Sequence, residues 1–162
     1  MRVIRIFFSN FAMKISIIMN KRTILTLSAA LALAAAPAVA DEICAMTAEK
    51  ITCSKTENGV RIDAAGVNAH GGTPWEGENA IGRLVIFLNR LPLEGGLKTA
   101  VAFLAEKIGM ECDGQSLGIA MRDDVSGILT MNLGVLRADE KAMEVKLNYR
   151  YPVTKVYEDC GP

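Results

Sequence analysis

The chain has 162 residues, 51% of them hydrophobic, with 18 basic and 18 acidic side chains. That length suits one domain and little more. All 18 acidic residues but only 13 of the 18 basic ones follow Ala40, so residues 41–162 are five charges negative and residues 1–40 five positive. An acidic body excludes nucleic acid as its partner and otherwise reads as ordinary solubility.

The first forty residues read as a leader. Met19-Asn20-Lys21-Arg22 is a short basic stretch, and Thr23 to Ala36 is an apolar run rich in Leu and Ala. Ala38-Val39-Ala40 is a small-x-small site followed by Asp41-Glu42. This is the pattern of a secretory signal peptide, with cleavage expected after Ala40. The run of about 14 residues is shorter than the roughly 20 that a membrane-spanning helix needs, so no membrane contact is expected once the leader is removed. Met13 and Met19 are alternative starts. The expected division is therefore 1–40 as leader and 41–162 as domain.

Cys44, Cys53, Cys112 and Cys160 all fall in the domain. Four cysteines allow three pairings, and the sequence does not choose among them. An exported chain would pair all four, whereas a cytosolic one would keep them as free thiols. No C-x-x-C pair occurs, and with one histidine a structural zinc site is not expected.

Lys50 to Thr56 is predicted as a strand, Glu57-Asn58-Gly59 as a hairpin turn, and Val60 to Ala64 as a half-buried return strand. A glycine-rich loop carrying His70, the one histidine of the chain, comes next. The spacing of Ile81, Leu84, Val85, Leu88 and Leu91 predicts a helix over 79–91 that Pro92 stops. Glu94-Gly95-Gly96 reads as a break. A second helix is predicted over 97–108, with Leu97, Val101, Leu104, Ala105 and Ile108 as its apolar stripe and Gly109 as its cap. Residues 110–124 read as a loop, with the adjacent carboxylates Asp123-Asp124 expected to be solvated. Ser126 to Leu136 is predicted as a strand. Met143, Val145, Leu147, Tyr149 and Tyr151 alternate with Glu144, Lys146, Asn148 and Arg150, the cleanest strand pattern in the chain. The order strand, strand, helix, helix, strand, strand implies an α+β fold, an antiparallel sheet with helices on one face.

No H-E-x-x-H pattern, P-loop or G-x-S-x-G element is present. Two residues stand out chemically. His70 lies among glycines that allow close backbone approach, and an imidazole there can donate to a developing oxyanion. Arg150 can hold a carboxylate with its planar fork of donors. On chemistry alone, the plainer readings are an exposed loop histidine and a surface arginine.

Gly66-Val67-Asn68-Ala69-His70-Gly71-Gly72-Thr73-Pro74, followed by Gly77-Glu78-Asn79-Ala80, resembles a signature of the M20 metallopeptidases, above all the Xaa-His dipeptidases of the PepV type. Leu117 to Ala120, Asp124 to Gly127, Leu129 to Val135 and Asn148 to Thr154 resemble later segments of the same group, the last including its R-Y-P strand. The resemblance covers about Glu49 to Glu158. It implies a ferredoxin-like lid, or dimerisation, domain, incomplete at its C-terminus. It implies further that His70 steadies the carbonyl oxygen of the scissile peptide and that Arg150 binds the substrate's terminal carboxylate.

In the full-length family enzyme, zinc ions activate water. Their ligands and the general base belong to a catalytic domain whose motifs this sequence does not carry, so no metal ligand is assigned here. The resemblance thus implies part of a zinc-dependent dipeptidase, inactive alone and acting on dipeptides only with a catalytic domain. The alternative is a non-catalytic exported or dimerisation module, pairing with itself or with a full-length peptidase. The resemblance also favours the cytoplasm over export, and reads Val39 to Ala45 as the tail of a strand feeding the lid.

Overall fold

The computed structural model describes residues 2–7, 16–19, 23–26, 37–56, 59–138 and 142–160. Nine strands and three α-helices occur among them. In chain order these are β1 (Arg2–Phe7), β2 (Ser16–Met19), β3 (Thr23–Thr26), α1 (Pro37–Ala45), β4 (Ile51–Thr56), β5 (Gly59–Ala64), α2 (Ala80–Leu88), α3 (Gly95–Lys107), β6 (Arg122–Asp123), β7 (Gly127–Ile128), β8 (Thr130–Ala138) and β9 (Ala142–Arg150). Single 3-10 turns occur at Pro74–Glu76 and Tyr157–Cys160.

The fold is α+β, and every strand pair is antiparallel. Three strands run in the order β1-β9-β8, while β2-β3, β4-β5 and β6-β7 are two-stranded. β3 lies against β5, and β2 against β8.

The β4–β5 hairpin, the two helices and most of β9 form where periodicity places them. In β5, Val60, Ile62 and Ala64 are buried while Arg61 and Asp63 are half-exposed. Ile81, Leu84, Val85 and Leu88 of α2 pack against Leu97, Val101, Leu104 and Ile108 from α3 and its end. Met143, Val145 and Leu147 of β9 complete this core with Leu129, Met131 and Leu133. Each fully buried aliphatic side chain contributes about 1.5–3 kcal/mol. Gly109, at φ +45°, ends α3 and donates its N–H to Leu104 O at 2.8 Å.

Five expectations need correction. Val39 to Ala45 is helical, not the tail of a strand: VADEICA does not alternate, and Ala40 and Ile43, three apart, both reach the core. Gly95 and Gly96 do not break the chain but form the first turn of α3. The strand expected over 126–136 is two strands. Gly127, at φ +85°, turns the chain, and a bulge between Leu133 and Val135 resets the alternation before β8 ends at Ala138. β9 stops at Arg150, so Tyr151 is exposed beyond it rather than continuing its apolar face. Asp123 is not a solvated surface carboxylate, as described below.

Cys44 of α1 and Cys53 of β4 form a disulfide. Cys112 is a free, half-buried thiol, and burial pushes its pKa up, with help from neighbouring Asp113 and Glu111. The full pairing expected of an exported chain is therefore not present. The bond after Ala40 lies inside α1. Most of the apolar run, residues 27–36, lies outside the described residues, as do Glu57-Asn58 of the expected hairpin turn.

Candidate active-site loop

The loop bearing His70 is tied shut at its base. Val67 and Glu78 form an isolated antiparallel bridge, donating to each other's carbonyls at 3.0 and 2.9 Å. Glycine stands beside both ends for lack of room. A Cβ on Gly66 would lie 2.5 Å from Glu78 O, and one on Gly77 would lie 2.5 Å from Val67 O. Glu78 also accepts from Lys50 Nζ at 2.6 Å and Arg83 Nη2 at 2.6 Å. The lysine above all, with the arginine, holds its carboxyl below the usual range against the opposing effect of burial.

Asn79 couples this base to the sheet. Its Oδ1 caps α2 by accepting from Ile81 N and Gly82 N, while its Nδ2 donates to Leu133 O in β8 at 2.9 Å. Further along, Thr130, the first residue of β8, donates its hydroxyl to Gly71 O at 3.1 Å. The loop is thus pinned to the start of β8, and Arg150 lies directly across the strand pair from Thr130.

These anchors bring together two residues 80 apart in sequence. Arg150 Nη1 lies 3.0 Å, and His70 Nδ1 3.2 Å, from where a Cβ on Gly72 would stand. His70 is exposed, and its Nδ1 accepts from Gly72 N at 3.2 Å. In the neutral ring, that bond assigns the proton to Nε2, leaving an N–H donor there. Arg150 is exposed too, and no carboxylate among the described residues pairs with it. A cleft of about 380 Å³ opens here, lined by Gly71, Asn132, Asn148, Tyr149 and Arg150. A guanidinium on the cleft wall, with an imidazole on the adjoining loop, suits a ligand with a carbonyl oxygen and a carboxylate.

The two asparagines were not singled out from sequence. They face each other across β8 and β9, and Asn132 Oδ1 is buried without a hydrogen-bond partner. The available signal was their place on the same strand face as Thr130 and Arg150. Among the described residues, no three His, Cys, Asp or Glu side chains gather to hold a metal.

A second polar cluster closes the same end of the sheet. Asp123 Oδ1 accepts from the N–H groups of Val125, Ser126 and Gly127 and from the Ser126 hydroxyl. Its Oδ2 accepts from Thr154 N at 3.1 Å and Thr154 Oγ1 at 2.9 Å, and Ser126 Oγ accepts from Val153 N. The knot ties the chain after β9 to the turn between β6 and β7. These donors, Ser126 N–H foremost, hold the Asp123 carboxyl far below the usual carboxylate range.

Residues 54–148 match the family described as the M20 peptidase dimerisation domain. The chain belongs to that family. It is 37% identical over 90 residues to the "Putative dipeptidase YtjP" of Bacillus subtilis, covering 55% of this chain and 19% of that protein. It is 33% identical over 109 residues to a "Putative dipeptidase" of Staphylococcus epidermidis, covering 66% of this chain and 23% of the relative. A Staphylococcus aureus relative of the same description is 34% identical over 101 residues, covering 61% of this chain and 22% of its own. The chain thus spans about a fifth of the length of these relatives.

Proposed function

We propose that this chain is the lid portion of a zinc-dependent M20 dipeptidase, built to bind and orient a dipeptide and inactive in hydrolysis by itself. The supporting observation is the convergence of His70 and Arg150 on Gly72. In this reading Arg150 grips the substrate's terminal carboxylate, a charge-assisted and potentially bidentate contact. His70 donates from Nε2 to the carbonyl oxygen of the peptide bond to be cleaved, where negative charge develops. The described residues do not fit a zinc centre. Zinc and its activated water would have to come from a catalytic domain outside this chain, leaving recognition and alignment to the residues present.

The test has two readouts on the purified chain. After dialysis against trace zinc, bound metal per chain should be near zero, with no dipeptide hydrolysis. Titration with a free dipeptide should shift the His70 ring resonances, and Arg150→Ala should abolish the shift. One or two tightly held zincs, or hydrolysis by the chain alone, would overturn the fragment reading. A His70 shift that survives in Arg150→Ala would overturn the assignment of Arg150.

The Cys44–Cys53 bond favours a second reading, an exported non-catalytic module, because disulfides persist in oxidising compartments. It expects a mature chain beginning after Ala40, read directly from the mass of secreted material. A secreted chain that retains residues 1–40, or none secreted at all, would count against it.

A further inference from the structure

The disulfide between Cys44 and Cys53, nine residues apart, spans the stretch that hands α1 over to β4. One residue in that stretch is unusual. Lys50 stands at φ +63°, alone among the described non-glycine residues in the left-handed region. Such a backbone is unfavourable for lysine and persists only where its surroundings fix it. The β4–β5 ladder ends at the pair Ile51 and Ala64, and just past it Lys50 O accepts from Ala65 N at 2.8 Å. Ala48 O accepts from Ile51 N at 3.0 Å, closing a turn over Lys50. The disulfide clamps the two ends of this turn together.

What the turn aims is an ammonium group. Lys50 Nζ donates to both oxygens of Glu78, at 2.7 and 2.6 Å, and Glu78 is half of the bridge that shuts the base of the His70 loop. A line of short links thus runs from the disulfide to that loop. Besides the disulfide, α1 is held by buried Ala40 and Ile43 and by an exposed ion pair of Asp41 with Lys55. A helix of nine residues is marginal on its own. Both cysteines are half-buried at the margin of the core, so the bond is not sealed within it.

We propose that the Cys44–Cys53 bond is a redox-controlled tether on the His70 loop, with Lys50 as the positioning residue that carries its effect to Glu78. A dithiol supplies two electrons and two protons. The S–S bond breaks, two thiols form, and the reductant leaves as its own disulfide. The turn then loosens, Lys50 relaxes out of the left-handed region, and its ammonium leaves Glu78. Arg83 and the backbone bridge remain, so the loop slackens without detaching. The loop is firm in an oxidising compartment and slack in a reducing one. This inference rests on neither functional reading above, since it needs no substrate and no export.

Amide hydrogen exchange at constant pH, on the oxidised full chain before and after dithiothreitol, tests it. Reduction should speed exchange at Val67 and Glu78, the two N–H donors of the bridge, about two- to fivefold, the size expected of one exposed ion pair. Met143, Val145 and Leu147 of β9 should exchange as before, and reoxidation should reverse the change. Lys50→Asn removes the ammonium but tolerates the left-handed backbone. Its oxidised form should already show the fast loop, and reduction should add nothing. Cys44→Ala with Cys53→Ala should match the reduced parent, which separates the effect from the thiol of Cys112. The proposal is overturned if reduction leaves Val67 and Glu78 unchanged, or if Lys50→Asn responds to the dithiol as the parent does. It is equally overturned if exchange in β9 accelerates as much, which would make the bond a general staple, or if the double alanine variant behaves as the oxidised parent.

Discussion

Two polar clusters sit at one end of the same sheet, and they are built to opposite ends. Around Asp123 each carboxylate oxygen is taken up by backbone and hydroxyl donors. Around His70 and Arg150 no carboxylate among the described residues pairs with the guanidinium, and the one internal bond of the imidazole serves to fix its tautomer. A saturated cluster holds the chain together, whereas an unsaturated and exposed one is able to receive something. Charge alone does not separate them, since both use ionisable side chains. The count of partners does.

This contrast can be attacked by mutation. The largest loss of thermal stability is expected from Asp123→Ala, which leaves the N–H groups of the Asp123 turn and of Thr154 without their shared acceptor. A melting temperature unchanged from the parent would show that the knot is ornamental. Gly66→Ala should come next, costing about 1–3 kcal/mol, because its methyl would collide with Glu78 O and open the base of the His70 loop. Denaturant titration checks the size. Loop resonances that move in the variant while those of the β4–β5 hairpin stay fixed would confirm where the damage lies.

The third expectation concerns acid. The folded-state pKa of Asp123 is depressed, so its contribution is complete above the unfolded carboxyl value of about 3.9 and is lost as the pH falls below it. Melting temperatures from pH 6 to pH 3 should fall for the parent and fall less for Asp123→Asn. Parallel slopes would move the acid sensitivity to other carboxyls. The smallest effect on stability should come from His70→Ala and Arg150→Ala, each within about 0.5 kcal/mol of the parent. A large loss in either would place that residue with the structural cluster instead.

Much of the body could be read from the sequence, because burial there follows a simple period. The alternation in β9 and the stripes of α2 and α3 each report one buried face, and the structure buries those faces. The leader was harder. Arg2 to Phe7 does not alternate cleanly, and nothing local in it reveals that its partner lies at the far end of the chain. The break in alternation at Gly134 was hidden for a related reason, since a bulge is fixed by the strand across from it. Within the site, the chemistry of His70 and Arg150 was visible but their meeting was not. It depends on Thr130 and Asn79, whose hydrogen bonds to Gly71 and Leu133 span more than fifty residues.

The bridge between Val67 and Glu78 has a practical corollary. Because the segment between them leaves and re-enters the fold at one paired point and is held beyond it by the Thr130 bond to Gly71, two ties together fix where the imidazole stands. A stretch of another length spliced between the same two residues would keep the base, with Gly66 and Gly77 retained as its sockets, but would hold a ligand only if it still brought Gly71 within reach of Thr130.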